Sequence, residues 1–139
     1  MDEVRELVAR RAEAMRAGDA VALAADYLPG AVAFTMAPPL AHRGLTDPGS
    51  LREWFATFDS AVDYEVRDLE VVAEGDVAFC HSLNRMSALP KGYPERFDLW
   101  FRSTVCLRRV DGVWRIAHEH TSVPFHMDGS FSAAVGLTP

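Results

Sequence analysis

FDLWFRSTVCLRRVDGVWRIAHEHTSVP, residues 97–124, sets two runs rich in β-branched and aromatic residues on either side of Asp111-Gly112. That pair supplies the positive φ angles that a two-residue primed turn needs, so the stretch predicts a β-hairpin. With Asp111 and Gly112 as the turn, Val110 faces Val113 and the register follows by counting outward. Side chains alternate along a strand, so one face collects Phe101, Ser103, Val105, Leu107, Trp114, Ile116, His118 and His120. The other collects Arg102, Thr104, Cys106, Arg108, Arg115, Ala117, Glu119 and Thr121. Two imidazoles in an apolar lining need a reason, because a buried histidine must find hydrogen-bond partners. Either they are satisfied core residues or they line a cavity.

The rest of the chain frames that hairpin. Its 139 residues suit one domain, 1–139, large enough to bury a core unaided. The net charge of −6 comes from interspersed acids and bases without a basic stripe, which excludes nucleic acid as an expected partner. Cys80 and Cys106 fall in predicted strands without a paired spacing, and suit free thiols in a reducing compartment. The N-terminal residues are charged from Asp2 onward with no apolar signal core, and no run reaches membrane-spanning length. The expectation is a soluble cytoplasmic protein with no membrane partner.

Residues 2–17 place Val4, Leu7, Val8, Ala14 and Met15 near helical spacing, with charges between them, and predict an amphipathic helix. Gly18-Asp19 reads as a stop and an N-cap, opening a second helix over 19–28 that Pro29-Gly30 closes. A short strand is expected over 31–36, ended by Pro38-Pro39. Asp47-Pro48 opens a third helix to about residue 60, carrying Leu51, Trp54, Phe55 and Phe58 on one side. Strands over 64–74 and 77–89 flank Gly75-Asp76 and form a second hairpin. Helices in the first half and strands in the second indicate an α+β fold. Pairing the apolar sets of strands 77–89 and 97–109 puts Cys80, Ser82, Asn84 and Met86 on the face assigned to His118 and His120. The tail, residues 125–139, either folds back as a lid or lies against a partner subunit.

Arg102-Ser103-Thr104, Gly112-Val113-Trp114-Arg115-Ile116 and His118-Glu119-His120-Thr121-Ser122-Val123-Pro124 resemble the R-x-T, G-x-W-x-I, H-x-H-x-S-x-P pattern of SnoaL-like proteins. These are ketosteroid-isomerase-like members of the nuclear transport factor 2-like superfamily, and the likeness extends over almost the whole chain. The resemblance implies a cone-shaped α+β barrel of three N-terminal helices packed on a strongly curved, mainly antiparallel sheet. It also implies a pocket between the two layers and a homodimer formed through the outer sheet face. The fold hosts isomerases, polyketide cyclases, dehydratases, hydrolases and non-catalytic association domains, so it does not fix the activity. The aspartate base that ketosteroid isomerases carry after the first strand has no counterpart in Phe34-Thr35-Met36-Ala37-Pro38. Tyr27 and Asp98 loosely match their oxyanion pair.

His118 and His120, two residues apart on one strand, suit acid/base chemistry near neutral pH. They are the expected catalytic pair, with Asp98 as a further candidate. The expected substrate lining is Tyr27, Phe34, Met36, Trp54, Phe58, Asn84, Met86, Phe101 and Ser103, apolar with a few polar tips. The same histidine spacing suits two metal ligands if His81, Asp98, Asn84 or His126 supplies a third. Arg102, Thr104 and Glu119 read as a structural or interface network on the opposite face. Two functions follow: a cofactor-free acid/base enzyme acting on a small apolar molecule, or a non-catalytic binding module of the same fold.

Overall fold

The computed structural model describes residues 2–139. Helices α1 (Asp2–Ala17) and α2 (Ala20–Ala25) precede strand β1 (Tyr27–Phe34), and helix α3 (Gly49–Phe55) precedes strands β2 (Asp63–Glu74), β3 (Val77–Ala88), β4 (Phe97–Val110) and β5 (Val113–Ser122). The five strands form one sheet in the order β1-β5-β4-β3-β2. β1 runs parallel to β5 and every other pairing is antiparallel. The architecture is α+β, with the helices packed on the concave side of a curled sheet. The sheet is open rather than a closed barrel, with β1 and β2 as its edges.

Local sequence accounts for much of this. α1 turns Val4 and Leu7 inward, and it ends at Gly18, whose φ of 64° lets its amide reach back to the Met15 carbonyl. Asp19 caps α2 by accepting from the Ala22 amide at 3.0 Å. α2 is shorter than the sequence suggests, and Tyr27 opens β1 instead of closing a helix. Pro29 and Gly30 do not stop the chain, because β1 is an edge strand where a missing N–H need not break a ladder. α3 likewise ends at Phe55, short of the predicted residue 60. The β4–β5 turn has the predicted primed geometry, with φ of 52° at Asp111 and 78° at Gly112.

Two apolar clusters fill the concave side. Val4, Leu7, Tyr27, Ala31, Ala78, Cys80, Leu107, Trp114 and Ile116 make the first. Val62, Met86, Ala88 and Phe101 make the second, with Trp54, Phe55, Phe58, Tyr64 and Leu99 against it. The tail turns back on itself, pairing Phe125 with Ala133 and burying Ala134, while Phe125, Met127 and Phe131 stay exposed. Among the described residues no helix is long and apolar enough to cross a membrane.

Candidate functional site

A single extra residue in β5 decides which side chains enter the cone. From the turn to Leu107↔Ile116 the register runs as counted in sequence; beyond it Ala117 is unmatched, and the pairs become Cys106↔His118, Val105↔Glu119, Thr104↔His120 and Ser103↔Thr121. A one-residue slip sends every later side chain to the other face. The expected placement of His118 and His120 in the apolar lining is therefore corrected. Both stand on the convex outer face with Thr104 and Cys106, while Glu119 and Thr121 turn inward. The expected group of Arg102, Thr104 and Glu119 is divided in the same way.

The outer residues have their own partners. His118 Nδ1 donates to the Val32 carbonyl at 2.6 Å, and both imidazoles meet the Phe34 ring edge-on at 4.7 and 5.6 Å. His120, Phe34, Met36 and the loop through Leu40 line an open cleft of about 770 Å³ beside the sheet. Asp98, the third catalytic candidate, is also on this face, paired with Arg85 at 2.8 Å alongside Asp63 and Glu65. Phe34 and Met36 thus leave the expected lining. No three His, Cys, Asp or Glu side chains among the described residues come together to hold a metal ion.

Inside the cone, a polar belt separates the two apolar clusters. Strand pairing aligns Ser82, Ser103 and Thr121 in a row across β3, β4 and β5, with Glu119 on one side of the row and Asn84 on the other. Tyr27 reaches the belt from β1 and Tyr64 from β2. Arg11 of α1 completes it from the helical layer, donating to the Leu23 carbonyl at 2.8 Å, to Asp26 at 3.1 Å and to Tyr27 Oη at 3.1 Å. Tyr27 in turn donates to Glu119 Oε1. On the other side, Ser82 Oγ donates to Asn84 Oδ1 at 2.7 Å, and Asn84 Nδ2 donates to Tyr64 Oη at 2.8 Å.

These contacts set the charge states. Burial pushes Tyr64 up to about 12, with the charge of Glu119 acting in the same direction. Burial and Glu119 together raise Tyr27 well beyond the ordinary phenol range. Burial opposes the charge of Arg11, but Tyr27, Glu119 and Asp26 outweigh it and raise its pKa. Both tyrosines are therefore neutral hydrogen-bond donors at physiological pH.

Three groups in the belt retain bonding capacity. Tyr64 accepts from Asn84, but its own hydroxyl hydrogen has no acceptor among the described residues. Glu119 uses Oε1 for Tyr27 and leaves Oε2 without a donor among the described residues. Ser103 is only 8 % exposed and its hydroxyl has no partner, yet no fully buried side-chain oxygen or nitrogen among the described residues goes unpaired. Its hydroxyl therefore faces open space within the belt, where a buried polar group would otherwise require a partner.

The structure thus gathers Tyr27, Asn84, Ser103, Phe101 and Met86 of the expected lining around the belt, with Trp54 and Phe58 in the adjoining apolar cluster. Glu119, Tyr64, Arg11 and Thr121 are additions. Nothing in the sequence singles out Arg11 from the other charges of α1. Glu119 was visible as a polar residue in an apolar strand, but counting from the turn placed it outside.

A SnoaL-like domain model matches residues 4–126. The chain belongs to the SnoaL-like family. This SnoaL-like chain is 31% identical to a nuclear transport factor 2-like protein of unknown function from Pseudomonas putida, over 99% of this chain and 95% of that one, with a TM-score of 0.86. A scytalone dehydratase-like protein from Novosphingobium aromaticivorans shares the fold at 13% identity, 100% and 95% coverage and a TM-score of 0.79. A ketosteroid isomerase-like protein from Erwinia carotovora atroseptica does so at 21%, 87% and 93%, and 0.72. No curated protein matches the chain.

Proposed function

We propose that this SnoaL-like protein is an enzyme performing cofactor-free proton transfer on a small, largely apolar carbonyl compound held in the polar belt. The observation that carries this reading is the pairing of unused capacities across the belt: a carboxylate oxygen on Glu119 and a hydroxyl hydrogen on Tyr64. Glu119 takes a proton from the carbon beside the carbonyl, and the electron pair moves onto the carbonyl oxygen. Tyr64 donates a hydrogen bond to that developing oxyanion, with Asn84 and Ser82 holding its oxygen in place. Return of the proton to a different carbon is an isomerisation; loss of a neighbouring hydroxyl as water is a dehydration. Phe101, Met86, Trp54 and Phe58 supply the apolar wall. A positioned base typically contributes about 10²–10⁴-fold, and a positioned oxyanion donor about 10²–10³-fold.

Deuterium uptake by a panel of small ketones tests this. Wild-type protein is expected to exchange the hydrogens beside the carbonyl in heavy water, and Glu119→Gln to lose about 10²-fold or more of that rate. If ketones raise the melting temperature but no exchange occurs, the non-catalytic binding module replaces this reading.

The outer sheet face supports a homodimer as the working form. Val72, Val77 and Phe79 are exposed there, an apolar set that a second copy would cover. The free thiols of Cys80 and Cys106 support a reducing, cytoplasmic setting.

A further inference from the structure

The charge balance of the belt bears on what it binds, given the reading above that it is a ligand site. Arg11 directs its guanidinium at the protein itself: Nη1 donates to Leu23 O and Asp26, and Nη2 to Tyr27. Asp26 also receives Arg10 from the rim at 2.7 Å. Arg11 is thus occupied by the protein's own acceptors. What faces the space beside Ser103 is one charged acceptor, Glu119 Oε2, and three neutral hydroxyls, those of Ser103, Thr121 and Tyr64, each with a hydrogen to donate. A carboxylate entering there would meet the like charge of Glu119, which the Arg11 cation, already paired with Asp26, offsets only in part, in surroundings where charges interact more strongly than in water. A ligand hydroxyl would instead find a charged acceptor, the stronger class of hydrogen bond.

We infer that the belt selects a neutral ligand carrying a hydroxyl donor as well as a carbonyl acceptor, and that Glu119 is the specificity residue that recruits the hydroxyl and turns carboxylates away. The carbonyl is placed by Tyr64 and the hydroxyl by Glu119 Oε2, with Ser103 and Thr121 along the path between them.

Three probes of one shape test this by calorimetry at about pH 6, where a phenol is neutral and a carboxylic acid ionised. They are 4-hydroxyacetophenone, 4-acetylbenzoate and acetophenone. Wild-type protein is expected to bind the phenol about tenfold or more tightly than either of the others. Glu119→Gln is expected to bring the phenol and the carboxylate to within about threefold of each other. Equal binding of phenol and carboxylate by wild type, an unchanged ratio in Glu119→Gln, or no binding of any probe at millimolar concentration overturns the inference. Should Glu119→Gln fail to fold, the comparison of the phenol with acetophenone on wild type still decides it, since equal affinities remove any role for the hydroxyl. Deuterium uptake at the acetyl methyl of acetophenone, which has no hydroxyl to occupy Glu119 Oε2, followed by NMR, reports the chemistry separately. Selectivity without uptake retires the proton-transfer reading alone, and uptake without selectivity retires the ligand preference alone.

Discussion

Tyr27 and Glu119, 92 residues apart in the chain, share a hydrogen bond in which the phenol of the first strand donates to the carboxylate of the last. The bond spans the one parallel pairing of the sheet and fixes one oxygen of Glu119 while leaving the other free.

Removing that donor exposes its worth. In Tyr27→Phe, both Arg11 and Glu119 lose a partner inside the cone, and a buried polar group left unpaired costs about 1–3 kcal/mol. Urea denaturation at neutral pH is expected to show a loss of that size with an unchanged slope. A loss below about 0.5 kcal/mol would mean that water replaces the phenol freely.

The raised phenols predict an alkaline limit to stability. In the unfolded chain Tyr27 and Tyr64 release their protons near the ordinary value of about 10, whereas in the fold Tyr64 holds its proton up to about 12 and Tyr27 beyond that. Their stabilising contribution is complete below about pH 10 and fades as pH climbs toward 12. Melting temperatures measured across this window are expected to fall, and to fall less steeply in Tyr64→Phe. Parallel curves for the two proteins would show that Tyr64 is not held protonated.

The two thiols are expected to react in sequence. Cys80 is buried, and burial pushes its thiol up to about 11, so little thiolate is available for attack. Cys106 lies half-buried on the outer face. With the outer face left uncovered, as in a monomeric Phe79→Glu variant, a colorimetric thiol reagent is expected to modify Cys106 in the folded protein and Cys80 only after denaturant is added. Retention of a fast-reacting thiol in Cys106→Ser would overturn this order.

Assembly is testable at Phe79, whose exposed ring stands on the outer face opposite Cys106. A glutamate there places two like charges near each other across a twofold contact. Light scattering is expected to report a dimer for wild type and a monomer for Phe79→Glu, with the circular dichroism spectrum unchanged. A monomeric wild type would remove the dimer proposal.

The elements governed by local chemistry were legible in the sequence. The α1 helix, the Asp19 cap and the Asp111-Gly112 turn each follow from one or a few residues, and the inward set Cys80, Ser82, Asn84 and Met86 follows from strand alternation. What was hidden depends on the sheet as a whole. Ala117 bears no chemical mark of a bulge; the extra residue accommodates the bend of β5 around the helices, and every assignment beyond it reversed. A second bulge, at Asp68 with a φ of 56°, bends β2 in the same way without a glycine to announce it. Pro29-Gly30 read as a helix end because its tolerance in a strand depends on β1 lying at a sheet edge, which no local window reveals.

The unmatched alanine in β5 also carries an evolutionary consequence. Upstream of it, inward positions are locked by the primed turn; downstream, they depend on one residue of spacing. Gain of a single codon there, with the bulge kept, would exchange carboxylate for imidazole on the inner face without altering any functional side chain. A scaffold with that property can change its repertoire of reactive groups by a shift in phase, a shorter mutational path than replacing them one at a time.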